Sequence, residues 1–143
     1  MKKNEATINR PQGDRILDAP FVSMNLDDYV KQVKSEDAWD KYDRNGITVF
    51  KTENATIVLT CLHKNARIGE NSVDGIFQVQ VLDGHLRITT DTGDSDLKDA
   101  GMAVFHPGVR HTIQAMKKST LLMQTITLNG EAKDSQRRIE NSL

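Results

Sequence analysis

The stretch Gly75–Thr90, "GIFQVQVLDGHLRITT", keeps one rhythm across a break in its middle. Phe77, Val79 and Val81 alternate with Gln78 and Gln80. Beyond Asp83-Gly84, Leu86 and Ile88 alternate with His85, Arg87 and Thr89. Side chains along a strand point to opposite faces in turn, so the rhythm predicts two half-buried strands. Asp83-Gly84 is the residue pair of a tight type I′ turn, because glycine takes positive φ without strain, and a hairpin is expected there.

The same texture continues on both sides. "ITVFK" (47–51), "ATIVLTCLH" (55–63), "MAVF" (102–105), "HTIQAM" (111–116) and "TLLMQTITL" (120–128) are short and rich in β-branched residues. Turn pairs punctuate them at Glu53-Asn54, Lys64-Asn65, Asp74-Gly75, Thr92-Gly93, Pro107-Gly108 and Lys117-Lys118. Seven or more short strands at this spacing predict an all-β sandwich or barrel. Upstream, Leu26, Tyr29, Val30 and Val33 recur at helical spacing, with Asp27 and Asp28 suited to a helix N-terminus. Ser35 is placed to cap a second short turn carrying Trp39, and Asn45-Gly46 to close it. Trp39 reads as a packing anchor. Residues 1–20, broken by Pro11, Gly13 and Pro20, read as an extended arm, laid on a surface or exchanged with a partner subunit. One domain is expected: arm and helical decoration over 1–45, barrel over 46–128, and a polar tail over 129–143.

Composition narrows the function. With 143 residues the chain can build one sizeable core. Its 19 Lys and Arg balance 20 Asp and Glu, which argues against a nucleic-acid groove or a basic membrane patch. Cys61 is the single cysteine and sits in an apolar run, so a buried, inert thiol is expected. No apolar run approaches the ~20 residues of a membrane helix, and the N-terminus lacks a signal-peptide core. A soluble cytoplasmic protein follows as the expectation.

With "VQVLDGHLRI" followed by "AGMAVFHPGVRH", the chain resembles a cupin over roughly Thr56–Thr127. The resemblance implies a double-stranded β-helix, or jelly-roll barrel, and commonly a dimer. In that family three histidines and a glutamate hold one metal ion inside the barrel. The first motif sets two histidines one residue apart, then the glutamate, then a glycine seven residues on. The second ends Gly, two residues, His, three residues, Asn.

Residue by residue, Gly84, Gly108 and His111 match the pattern, while Phe77 holds the glutamate's place. The first two histidine places fall on Asn71 and Val73, or on Glu70 and Ser72 with one more residue of spacing, and Ala115 replaces the asparagine. A catalytic divalent ion needs about three nitrogen or oxygen ligands from the protein. His111 and Glu70 are weak candidate donors and Asn71 could offer only a neutral amide oxygen, so the motif is degenerate, and neither a resident metal nor another cofactor is expected. His63 and His85 read as surface residues, and His106 as a structural contact.

Strand alternation sets His111, Ile113 and Ala115 on one face and Phe77, Val79 and Val81 on another. If these faces meet, a mostly apolar pocket results, bounded by Asn71, Val73, Phe77, Val79, His111 and Ile113. Three functions fit. The first is a protein binding a small organic molecule in the barrel without a metal. The second is an enzyme, either a metal-dependent dioxygenase or isomerase as in many cupins, or a metal-free one with His111 as acid/base. The third is a non-catalytic dimeric interaction protein, for which the arm and the Gln78–Gln80 face would suit a homodimer. The ligand count favours binding over catalysis.

Overall fold

A computed structural model describes residues 2–4, by backbone alone, and residues 15–127. Among these, eleven strands and two helices follow in the order β1 (Lys2–Asn4), β2 (Arg15–Asp18), α1 (Leu26–Ser35), α2 (Asp37–Lys41), β3 (Arg44–Lys51), β4 (Ala55–Leu62), β5 (Arg67–Asn71), β6 (Ile76–Asp83), β7 (His85–Thr90), β8 (Gly93–Lys98), β9 (Met102–Phe105), β10 (His111–Ala115) and β11 (Ser119–Ile126). Strands β3-β4-β11-β6-β9 form one sheet and β5-β10-β7-β8 a second; β1 and β2 pair by themselves. Every described pairing is antiparallel.

The two larger sheets close on each other because each turns an apolar face inward. Phe77, Val79 and Val81 of β6 and Leu121 of β11 pack against Leu86, Ile88, Ile113 and Ala115 of the second sheet. A second core lies outside the barrel, where α1 and α2 cover the outer face of β3, β4 and β11. There Val33 and Trp39 meet Ile47, Val49, Leu59, Cys61 and Leu122. The expected arm is in part a strand pair: β1 runs against β2, and the Arg15 side chain donates to the Thr48 carbonyl of β3. The remaining arm residues and the tail from 128 onward lie outside the described residues.

Helix α1 starts where the acidic turn predicted it, with Asn25 as N-cap accepting from the Asp27 backbone N–H at 2.9 Å. Ser35 does not cap α2. Its hydroxyl donates back to the Gln32 carbonyl at 2.7 Å, and Glu36 occupies the cap position, its carboxylate accepting from Asn45 at 2.9 Å instead of capping the helix. Asn45-Gly46 is likewise no turn. Both lie inside β3, opposite Cys61 and Thr60 of β4. A Cβ on Gly46 would stand 3.0 Å from Thr60 Oγ1 and 3.2 Å from the Leu59 carbonyl oxygen, so the glycine serves close strand approach.

The Asp83-Gly84 hairpin is also corrected. β6 pairs with β11 and β9, whereas β7 pairs with β10 and β8. The glycine, at φ +126°, is the corner at which the chain leaves one sheet for the other. There its N–H donates to Asp99 Oδ1 at 2.8 Å, and the next N–H, of His85, donates to Ser119 Oγ at 3.0 Å.

Candidate functional site

The inward faces of β6, β9 and β10 bring three rings together at one end of the barrel. Phe77 and Phe105 are direct partners across β6 and β9. His111, the first residue of β10, stacks on both, with ring centroids 5.0 Å from Phe77 and 4.5 Å from Phe105. All three are buried, His111 to 3% exposure. The two phenyl rings lie 5.8 Å apart and tilted.

Hydrogen bonding sets the state of the imidazole. Its Nδ1 lies 3.0 Å from the Val109 carbonyl oxygen, which can only accept, so Nδ1 carries the proton in the neutral ring. Nε2 is then left with its lone pair. It makes no hydrogen bond to a described residue, yet it is not fully enclosed. One hydrogen-bond acceptor, held by a backbone carbonyl and flanked by aromatic rings, is the chemistry this end of the barrel offers.

The other expected pocket residues distribute unevenly. Val79 and Ile113 are fully buried, and Val73 is half-buried against the same core. Asn71 is the cross-strand partner of His111 but is exposed, at the rim. Glu70 faces away, its carboxylate 2.9 Å from an Arg110 guanidinium nitrogen at the surface. Phe105 belongs to the site and escaped the sequence reading. The alternation Ala103–Phe105 within "MAVF" was its only signal, because four residues carry little periodicity.

The donor set does not fit the metal ion that the family pattern implies. Among the described residues no three His, Cys, Asp or Glu side chains stand together so as to hold an ion. Around His111 the nearest expected places carry a phenyl ring, an ion-paired glutamate and an exposed amide, and phenyl carbon offers no lone pair.

Several titratable groups outside the barrel interior have local partners. His63 stacks on Trp39 with centroids 3.5 Å apart, and its Nε2 lies 2.7 Å from the Trp39 carbonyl oxygen. His85 Nε2 is enclosed without a made hydrogen bond, although Asp96 Oδ1 is 3.5 Å away, within ion-pair reach. The Arg87 hydrogen bond on Asp96 holds that carboxyl below its ordinary range, with His85 contributing less. Burial pushes the Cys61 thiol up, against the opposing effect of a 3.7 Å contact with the Thr120 hydroxyl. His106 is exposed. A cleft of about 280 Å³ at the start of α1, among Ser23, Asn25, Asp28, Tyr29 and Gln32, belongs to the helical layer and not to the barrel.

No family model matches the chain, and no curated protein matches it either. Solved structures do. A conserved protein of unknown function from Streptococcus pyogenes superposes with a TM-score of 0.57 at 22% identity, over 61% of this chain and 76% of that one. A cupin superfamily protein from Desulfitobacterium hafniense gives 0.58 at 18%, over 59% and 78%. A cupin-2 domain protein from Shewanella frigidimarina gives 0.60 at 14%, over 72% and 93%. Identities this low speak for architecture and not for activity. The chain has the cupin fold.

Proposed function

We propose that this chain binds a small organic molecule at the His111 end of its barrel, without a resident metal. The observation that supports the reading is the state of His111: Nδ1 is tied to the Val109 carbonyl, and Nε2 is an unpaired acceptor beside Phe77 and Phe105. An apolar wall with one fixed polar group is how a protein orients a small ligand. A ligand hydroxyl or amine would donate to Nε2 while its carbon skeleton covers the phenyl edges, with Asn71 at the rim.

Catalysis through His111 is less well supported. An acid/base histidine gains from a carboxylate that stabilises its charged form, and here a neutral carbonyl orients the ring. Glu70, the nearest acid in the motif, is engaged by Arg110. The cytoplasm is the proposed compartment, since the one thiol is buried and has no partner cysteine.

The test is a melting screen with hydroxylated and amine-bearing metabolites, run on the native chain, His111→Gln and His111→Phe. A ligand at a hundredfold excess over its Kd adds about 2.7 kcal/mol. The expected result is a shift in the native chain that persists in part in His111→Gln, which keeps an acceptor, and vanishes in His111→Phe. Equal shifts in all three proteins would move the ligand away from His111. One divalent ion per chain that survives desalting and is lost in His111→Ala would overturn the metal-free reading.

A further inference from the structure

The inward residues of the five-stranded sheet form rows, and the row at the His111 end changes character along its length. Phe105 faces Phe77, Phe77 faces Thr125, Thr125 faces Thr56, and Thr56 faces Lys51 on β3. Direct partners across a sheet point to the same side, and Phe77 points into the barrel, so the two threonines do as well. The two phenyl rings are buried, the threonines are half-buried and Lys51 is exposed. Neither threonine hydroxyl is engaged by another described residue, and Lys51 makes no ion pair among them, the neighbouring exposed Glu53 included. The next row towards the centre, Val58, Met123, Val79 and Ala103, is apolar throughout. The hydroxyl pair is therefore a polar place at the mouth, set above an apolar floor.

We infer that the molecule bound at His111 is a hydroxy acid, with a carboxylate at one end, a hydroxyl at the other and an apolar skeleton between. The inference rests on the binding proposed above and adds a second anchor to it. Thr125 and Thr56 are direct partners on adjacent strands, with Cβ atoms about 5 Å apart. Two hydroxyls at that spacing can each donate to one oxygen of the same carboxylate, which offers acceptors only. A lone ligand hydroxyl would occupy one of them and leave the other idle. Charge points the same way, since the row ends in a cation and a carboxylate meets no acid along it. From Phe77 to Thr56 is two strand spacings, roughly 10 Å, so hydroxyl and carboxylate sit at opposite ends of a skeleton of about that length. The hydroxyl then donates to Nε2 of His111, and the skeleton crosses Phe77.

The probes are para-hydroxyphenylpropionate, which has this shape, and para-propylphenol, in which a methyl group replaces the carboxylate. Calorimetry gives their affinities for the native full chain and for Thr56→Val/Thr125→Val, Lys51→Met and His111→Phe. Valine keeps the β-branching of threonine and exchanges the hydroxyl for a methyl group, and the melting of each unliganded variant checks that its fold is kept. The native chain is expected to bind the acid about tenfold or more tightly than the phenol. The double valine variant should lose that preference and keep its affinity for the phenol. Lys51→Met should weaken the acid by about threefold, and His111→Phe should lose both probes. Equal binding of acid and phenol by the native chain overturns the inference. So does a double variant that holds the acid as tightly as the native chain, or an acid that fails to bind the native chain at millimolar concentration. Binding of the acid that depends on the threonines but not on His111 would instead overturn the histidine contact and leave the threonine pair standing, so the two failures are told apart.

Discussion

β4 and β6 flank the same strand, β11, and present the same inner face to the barrel, but their outer faces differ. The outward residues of β4, among them Leu59 and Cys61, lie under α1 and α2 and are fully buried. Those of β6, Gln78 and Gln80, are only half-buried and lie outside that core. The sequences already carry this difference. "ATIVLTCL" is apolar but for two threonines, as a strand covered on both faces must be, whereas "FQVQV" within β6 alternates strictly. The period of a strand therefore reports how many of its faces are packed, even when the packing partner is a helix far away in sequence.

Exchanging residue types between the two strands tests this contrast most directly. Leu59→Gln puts an amide where no partner waits, beneath Val33 and Trp39. Lost burial plus an unpaired polar group should cost about 3–6 kcal/mol in urea unfolding. A loss near zero would mean that the helices do not seal β4. A smaller cost is expected at the end of β6. Gly84→Ala meets a positive φ, and its Cβ would stand 2.6 Å from Ser119 Cα. About 1–3 kcal/mol should follow, read in the same titration, and neutrality would mean the corner can relax.

Cys61 supplies a pH reading for the covered side. Its thiol is raised when folded, so the unfolded chain loses that proton first as pH climbs past the ordinary value of 9.0. Stability then falls with rising pH by up to about 1.4 kcal/mol per unit until the folded thiol also ionises. Cys61→Ala should flatten this part of the profile, and identical slopes would count against burial of the thiol. The smallest effect belongs to the half-buried outer face of β6. Gln80→Leu should change the unfolding free energy of dilute protein by less than about 0.5 kcal/mol. A larger gain would mean that something already covers that position.

What could be read from sequence followed apolar rhythm. β3, β4, β6, β7, β9, β10 and β11 each carry enough alternating or continuous apolar residues to declare a strand, and the inward residues of β6, β7 and β10 meet as their alternation requires. β8, "GDSDLK", has no such signal because only Leu97 is buried; its strand state comes from pairing with β7. Asn45-Gly46 and Asp83-Gly84 misled for a related reason. Both have the local chemistry of turns, but the pairing of β3 with β4, and of β6 with β11, decided where the chain went. At the site, His111 and Phe77 were legible through spacing and alternation. The imidazole's tautomer was not, because it depends on the Val109 carbonyl, whose position only the folded loop defines.

The stack of Trp39 on His63 has an optical consequence. The chain contains a single tryptophan, and its ring lies between the helical layer and the end of β4, face to face with an imidazole. Its emission therefore reports one event, the seating of α1 and α2 on the sheet, and is blind to the barrel interior, where the aromatic residues are phenylalanines. Far-ultraviolet dichroism, dominated by the strands, follows the barrel. Recorded together during one melt, the two signals separate undocking of the cover from collapse of the barrel, with no label added to the protein.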